Sequence, residues 1–299
     1  MKKILIVTLL LCSIILSTAC AANVKKPAPE APEAPVAPVF KSPKAADDAE
    51  SLYLKGKAFY EGDGVDRDYS EAIKWFRQAA DLGHAKAQSV LGDIYCFGKG
   101  VSEDSYEALK WYRKAAEQED AGGQCGLGRM YNWGSGVEQD DFESLRWYKK
   151  AAAQGSAEGN AQVGCYYEQI EDDPTEAAKW YRIAADKGHP DAQYWLGLLY
   201  ETGNGVEMDV LEALRLYRRA AEQGNAYAQW QLGFSYARGL GGDPNYEEAY
   251  YWLYLAEENG IGEGFSDFGK DDVSEYLSPD QIDKIEDRAE QWIKDNTKE

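Results

Sequence analysis

The chain has 299 residues, with 52 Asp and Glu against 32 Lys and Arg and a formal charge of −20. A surface that acidic repels phosphate backbones and anionic headgroups, which excludes nucleic acid as an expected partner. With only two histidines, there is little from which a Ser/His/Asp or Cys/His nucleophile could be built, so no catalytic residue, metal or cofactor is expected.

The chain opens with Lys2-Lys3, an apolar run from Ile4 to Leu16, and the small residues Ser17-Thr18-Ala19 before Cys20. A basic start, a short apolar core and a small-residue zone predict an export signal over residues 1–19. The end of this segment resembles a bacterial lipoprotein signal, although Leu16 stands four residues before the cysteine where that family has it three before. The resemblance implies lipid attachment at Cys20, and Ala21 implies sorting to an outer membrane. The protein is then expected in the bacterial cell envelope, facing the periplasm and touching the membrane only through its lipid. The alternative is ordinary cleavage and a soluble secreted or periplasmic protein.

Residues 23–46 hold six of the ten prolines, interleaved with alanine. Such composition builds no core and favours extended polyproline II at about 3.1 Å per residue, on the order of 70 Å over this stretch. Residues 20–46 are thus predicted to be a tether behind the attachment site.

From residue 47 to 263 the chain repeats itself. Leu91-Gly92 returns as Leu127-Gly128, Gly98-x-Gly100-Val101 as Gly134-x-Gly136-Val137, and Trp111-Tyr112 as Trp147-Tyr148, each 36 residues on. The glycine falls at 56, 92, 128, 164, 197 and 233, and the second landmark at Trp75, Trp111, Trp147, Trp180, Leu216 and Trp252. A period of this length signals units too small to bury their own apolar faces, which must stack on their neighbours. Each unit reads as helix, turn, helix. In the first helix Ala87, Leu91, Gly92 and Tyr95 share one face. The glycine costs the helix about 1 kcal/mol against alanine, so its recurrence predicts a close approach of two helix backbones. The Gly-x-Gly-Val turn ends the first helix, and Ala108, Leu109, Trp111, Tyr112, Ala115 and Ala116 line the second. In the fourth unit Gln169 to Pro174 replace that turn and three residues are missing.

The pattern Ala-Gln-x-x-Leu-Gly-x-x-Tyr, Gly-x-Gly-Val, Ala-x-x-Trp-Tyr-x-x-Ala-Ala, Gly-His resembles the Sel-one-like repeat, a relative of the tetratricopeptide repeat. The resemblance covers six copies. It implies an all-α fold, a right-handed α-solenoid with a concave face, and a role as a scaffold or adaptor for proteins. Certain cysteine-rich secreted relatives bind or hydrolyse β-lactams, so a cell-wall-directed activity is the alternative. Those relatives carry paired cysteines in every unit, and this chain does not. Residues 264–299 are predicted to cap the open end, with Ile282, Ile285, Ala289, Trp292 and Ile293 on one face of a helix that begins at Ser278-Pro279.

Positions three before, one after and five after each glycine lie on the first-helix face opposite the core stripe. Aromatic and arginine side chains gather there, the composition of binding hot spots. Tyr53, Phe97, Arg129, Trp133, Tyr194, Leu198, Trp230, Phe234 and Arg238 are therefore predicted to hold a protein or peptide in the concave groove. On the same reasoning, truncating Trp230 or Trp133 should cost binding, and truncating Trp111 stability. His84 and His189 both occupy the Gly-His slot between units, where a helix-end role is expected rather than that of a ligand or base. Cys96, Cys125 and Cys165 are placed too far apart to pair, because first helices of neighbouring units run parallel about 8–10 Å apart with the cysteines at different levels.

Overall fold

The computed structural model describes residues 48–261 and 268–296, so the expected export signal, Cys20 and the tether lie outside the described residues. Within these limits the chain forms fourteen helices and no strand. It divides after Lys150 into two compact units. The first holds α1 (Ala49–Glu61), α2 (Tyr69–Asp81), α3 (Ala85–Phe97), α4 (Ser105–Glu117), α5 (Ala121–Trp133) and most of α6 (Asp141–Ala153). The second holds α7 (Ala157–Gln169), α8 (Pro174–Asp186), α9 (Pro190–Thr202), α10 (Val210–Ala221), α11 (Ala226–Ala237), α12 (Tyr246–Glu258), α13 (Lys270–Ser274) and α14 (Pro279–Asn296). Odd helices from α1 to α11 are the first helices of six repeats, and even helices from α2 to α12 the second. The fold is an all-α solenoid of helix–turn–helix repeats.

The helix starts are set by side-chain acceptors. Asp68, Asp104, Asp173, Asp209 and Asn245 cap second helices, each taking a backbone N–H from the first turn. Such caps contribute about 1 kcal/mol each. Part of the acidic composition is thus spent on helix ends. His84 and His189 do the same for α3 and α9 through Nδ1, while Nε2 meets Glu50 at 2.9 Å and Glu158 at 3.1 Å. Both histidines are accounted for by repeat-to-repeat ties. The Gly-x-Gly turn works through its φ angles, +65° at Gly98 and +74° at Gly100, a region that costs other residues steric strain. Gly100 has a second constraint, since a Cβ there would lie 2.4 Å from Tyr69 Cβ. In the fourth repeat one left-handed residue, Asp172 at φ +51°, closes the shortened turn, and Asp173 and Pro174 start α8 at once.

The expected close backbone approach is found at Gly233, where a Cβ would lie 3.0 Å from the Ala249 carbonyl oxygen and 3.1 Å from the Leu253 nitrogen, but the other five glycines of the series have a different use. A Cβ on Gly92 would meet the Tyr112 ring at 2.4 Å, and Gly56, Gly128, Gly164 and Gly197 face Phe76, Tyr148, Tyr181 and Tyr217 in the same way. The missing side chain makes room for a ring of the partner helix. Tyr112 and Tyr217 are fully buried and anchored at their tips, donating to Asp93 at 2.7 Å and Glu201 at 2.6 Å.

Successive repeats are stitched by a buried amide. Gln88 Nε2–H donates to the Ala80 carbonyl at 3.0 Å, in the preceding second helix, and its Oε1 accepts from Gln118 at 2.7 Å, at the end of its own. Gln193 and Gln229 repeat the arrangement with Ala185 and Gln223, and with Ala221 and Asn259. Left unpaired, each buried amide would cost about 1–3 kcal/mol. After the last repeat, α14 lays Ile285 and Ala289 into the core of the second unit, with Ile282, Trp292 and Ile293 packed against it. No disulfide joins Cys96, Cys125 and Cys165.

Candidate functional site

The face opposite the core stripe divides by position. At one and five residues after the glycine, Asp93, Arg129, Leu198 and Phe234 are half-buried and Phe97 and Arg238 exposed. At three before, Ser89, Cys125, Ala161 and Tyr194 are buried. The cause is the neighbouring first helix. A Cβ on Gly122 would meet Ser89 Oγ at 3.1 Å, and the Tyr194 ring lies 6.0 Å from that of Tyr227, the matching pair in the second unit. A helical wheel gives the direction of a side chain about its own axis but not what stands beside it.

Tyr194 is therefore corrected from groove residue to core residue. It is 4% exposed and sits among Trp195, Tyr217 and Tyr227. Leu198 packs against the same core. Tyr53 stacks on the His84 ring at 4.6 Å and is committed to the joint between the first two repeats. Burial there pushes its hydroxyl pKa up.

In the first unit the predicted residues do come together. Arg129, on α5, reaches Asp93 on α3 at 3.3 Å. Its guanidinium stands 5.1 Å from the Phe97 ring centre and 5.8 Å from that of Trp133, and the two rings meet edge to face at 6.3 Å. Asp93 also accepts the Tyr112 hydroxyl, so the cluster is braced from the core, and burial with that carboxylate drives the Tyr112 pKa far above the phenol range. Phe97 remains 38% exposed. Trp133 Nε1 is buried and has no hydrogen-bond partner among the described residues. Asp93 occupies the one-after position of the proposed face, but hot-spot composition singles out the aromatic and arginine side chains there and leaves the acid out.

In the second unit the face is already covered by the chain itself. Trp230 and Phe234 stack at 5.2 Å with their planes 10° apart. The Phe268 ring meets Phe234 edge-on at 5.2 Å, and the Phe268 carbonyl accepts from Trp230 Nε1 at 3.1 Å. Arg238 lies over Phe234 at 5.2 Å. Trp230 and Phe234 thus hold Phe268, beyond the last repeat, which is a correction to their assignment as open groove residues. Nothing in a periodic pattern signals a contact with a residue beyond the repeats.

Chemically, a guanidinium beside two aromatic rings offers a ligand stacking surface and hydrogen-bond donors. No group of three or more His, Cys, Asp or Glu is placed to hold a metal ion among the described residues, and no helix there is long and apolar enough to cross a membrane.

Comparison with known proteins gives a consistent result. The Sel1 repeat model matches residues 49–84, 85–120, 121–156, 157–189, 190–225 and 226–261. A protective antigen of uropathogenic Escherichia coli with an SLR fold is 34% identical, with a TM-score of 0.70 over 83% of this chain and 53% of its own. A Sel1 repeat protein from Oxalobacter formigenes is 38% identical, with a TM-score of 0.66 over 73% of this chain and 91% of its own. An uncharacterized protein of Neisseria meningitidis serogroup B is 45% identical over 47 residues, 16% of this chain and 10% of that protein. The chain spans about half the length of the E. coli antigen and a tenth of the Neisseria protein. Repeats of this kind generally serve as non-enzymatic scaffolds for protein interactions.

Proposed function

Since the chain belongs to the Sel1 repeat family, we propose that it is a scaffold or adaptor of the bacterial cell envelope. It binds a protein or peptide in the groove lined by the first helices of its first unit. The observation that carries this reading is the Phe97–Arg129–Trp133 cluster. Two rings and a guanidinium are assembled across neighbouring repeats, held by Asp93, with Phe97 open to solvent. Aromatic and arginine residues of this kind, fixed before binding, supply most of the affinity of typical interfaces.

The test is capture from envelope extracts with the immobilised mature chain. Phe97→Ala should lower the affinity for whatever the wild type retains by about tenfold or more, with the melting temperature unchanged. Equal capture by both proteins would sink the assignment.

We further propose that Cys20 carries lipid and holds the protein on the periplasmic side of a membrane, in keeping with the tether that follows it. Cys20→Ala should move the protein from the membrane to the soluble periplasmic fraction. A wild type already found in the soluble fraction would refute the anchor.

A further inference from the structure

Beside the covered aromatics of the second unit lies a cavity of about 560 Å³, between the end of α11, the start of α12 and α13. Its walls are Ala237, Tyr246, Phe268 and Val273, with Tyr276, Asp271, Asp272 and Glu275. Three of these eight residues carry aromatic rings and three carry carboxylates, and none is basic. Tyr276 is 61% exposed, yet its ring lies flat on Tyr246, with centres 4.2 Å apart and planes 9° apart. One face of Tyr276 is covered and the other is open.

The carboxylates are only partly used. One oxygen of Asp272 takes the Gly269 N–H at 2.8 Å. None of the three forms an ion pair among the described residues. The nearest lysine in sequence, Lys270, is bound to Glu257 at 3.0 Å and lies 4.9 Å from the Tyr254 ring. Asp271 acts on Lys270 only through space, adding to the push of Glu257 that raises the lysine pKa against its burial.

We propose that this cavity receives an arginine side chain of a basic segment in the protein partner. A guanidinium stacks on an open aromatic face and takes two carboxylates at once through its planar fork of donors, which a compact ammonium does less well. The walls offer both elements. The inference rests on the reading of the protein as a binder of protein segments, and it adds the charge of one anchor and the place where it lodges. The site is distinct from the Phe97–Arg129–Trp133 cluster, which lies in the other unit.

The experiment uses the full mature chain and a blocked heptapeptide with two arginines among glycines, titrated calorimetrically at low salt. The control peptide carries citrulline in place of arginine, which keeps the shape and removes the charge. Citrulline should bind at least about tenfold more weakly. Tyr276→Ala and Glu275→Gln should each weaken the arginine peptide by about fivefold to tenfold. Glu117→Gln and Glu138→Gln, exposed acids of the first unit, should leave it unchanged. Equal weakening by the remote pair would reduce the effect to the overall charge and overturn the proposal. So would equal binding of the two peptides, or no binding of either. Weakening by Phe97→Ala but not by the cavity variants would leave the groove reading standing and refute this one.

Discussion

Gly92→Ala is the sharpest perturbation of the repeat joint. On helix propensity alone it should stabilise α3 by about 1 kcal/mol. The structure predicts the opposite sign. The new methyl would stand 2.4 Å from Tyr112 Cδ1 and Cε1, where carbon atoms settle at about 3.5–4.0 Å. The ring would have to retreat by more than an ångström. It is fully buried, and its hydroxyl is fixed to Asp93 at 2.7 Å. Overpacking of this kind costs about 1–3 kcal/mol, and loss of the hydroxyl bond adds about 1 kcal/mol. After the propensity gain, the net is a destabilisation of about 1–3 kcal/mol. Urea unfolding followed by far-ultraviolet circular dichroism measures it. In a Tyr112→Ala background the same glycine change should become neutral or favourable, a coupling of about 1 kcal/mol or more. A stabilised single variant, or additive effects in the cycle, would refute the account of why the glycine recurs.

Two further outcomes follow from single contacts. Trp230→Ala should lower the melting temperature and raise protease cleavage between the last repeat and α14, because Trp230 holds the Phe268 segment by stacking with Phe234 and by its N–H. The loss should be about 3 kcal/mol or more, and unchanged stability with lost partner binding would restore Trp230 to the open groove. Glu168 tests the pH dependence. Burial raises its pKa above 4.5, with the Tyr181 hydroxyl opposing the shift. The folded state therefore holds the proton more tightly than the unfolded chain, and the group loses stability for the fold as pH rises from about the unfolded carboxyl value. Glu168→Gln keeps an acceptor for Tyr181 and should be more stable than wild type at pH 7, with the gap closing toward pH 4. A gap of the same size at both pH values in urea titrations would refute this.

The hairpins, their turns and the capping helix were legible in the sequence because each depends on residues close in the chain. Gly98 and Gly100 announce a left-handed turn wherever they stand, and Ile285 and Ala289 announce a buried stripe. The buried amides were visible as a recurring Gln but not as a tie, since Gln88 acquires its role only when Ala80 and Gln118 are brought to it from two other helices. Tyr194 shows the same limit for the site. Its direction on α9 follows from the 3.6-residue turn, but its burial follows from where α11 begins. Phe97, Arg129 and Trp133 were predictable as a group because they recur one and five residues after the glycine, so that neighbouring first helices bring them side by side.

The amide ties also bear on how such a chain can change its length. Gln88 and Gln193 ask for the same two partners, a carbonyl from the second helix before and an amide from the second helix of their own repeat. A duplication or loss of one whole 36-residue segment that carries this glutamine delivers both partners again, so the tie stays satisfied. A cut that separates the glutamine from either partner strands a polar group in the core, whereas the three-residue loss in the fourth repeat falls in a turn and leaves the repeat folded. Tandem gain and loss of complete copies is thus the low-cost evolutionary move for this architecture, and partial copies are removed by their own instability.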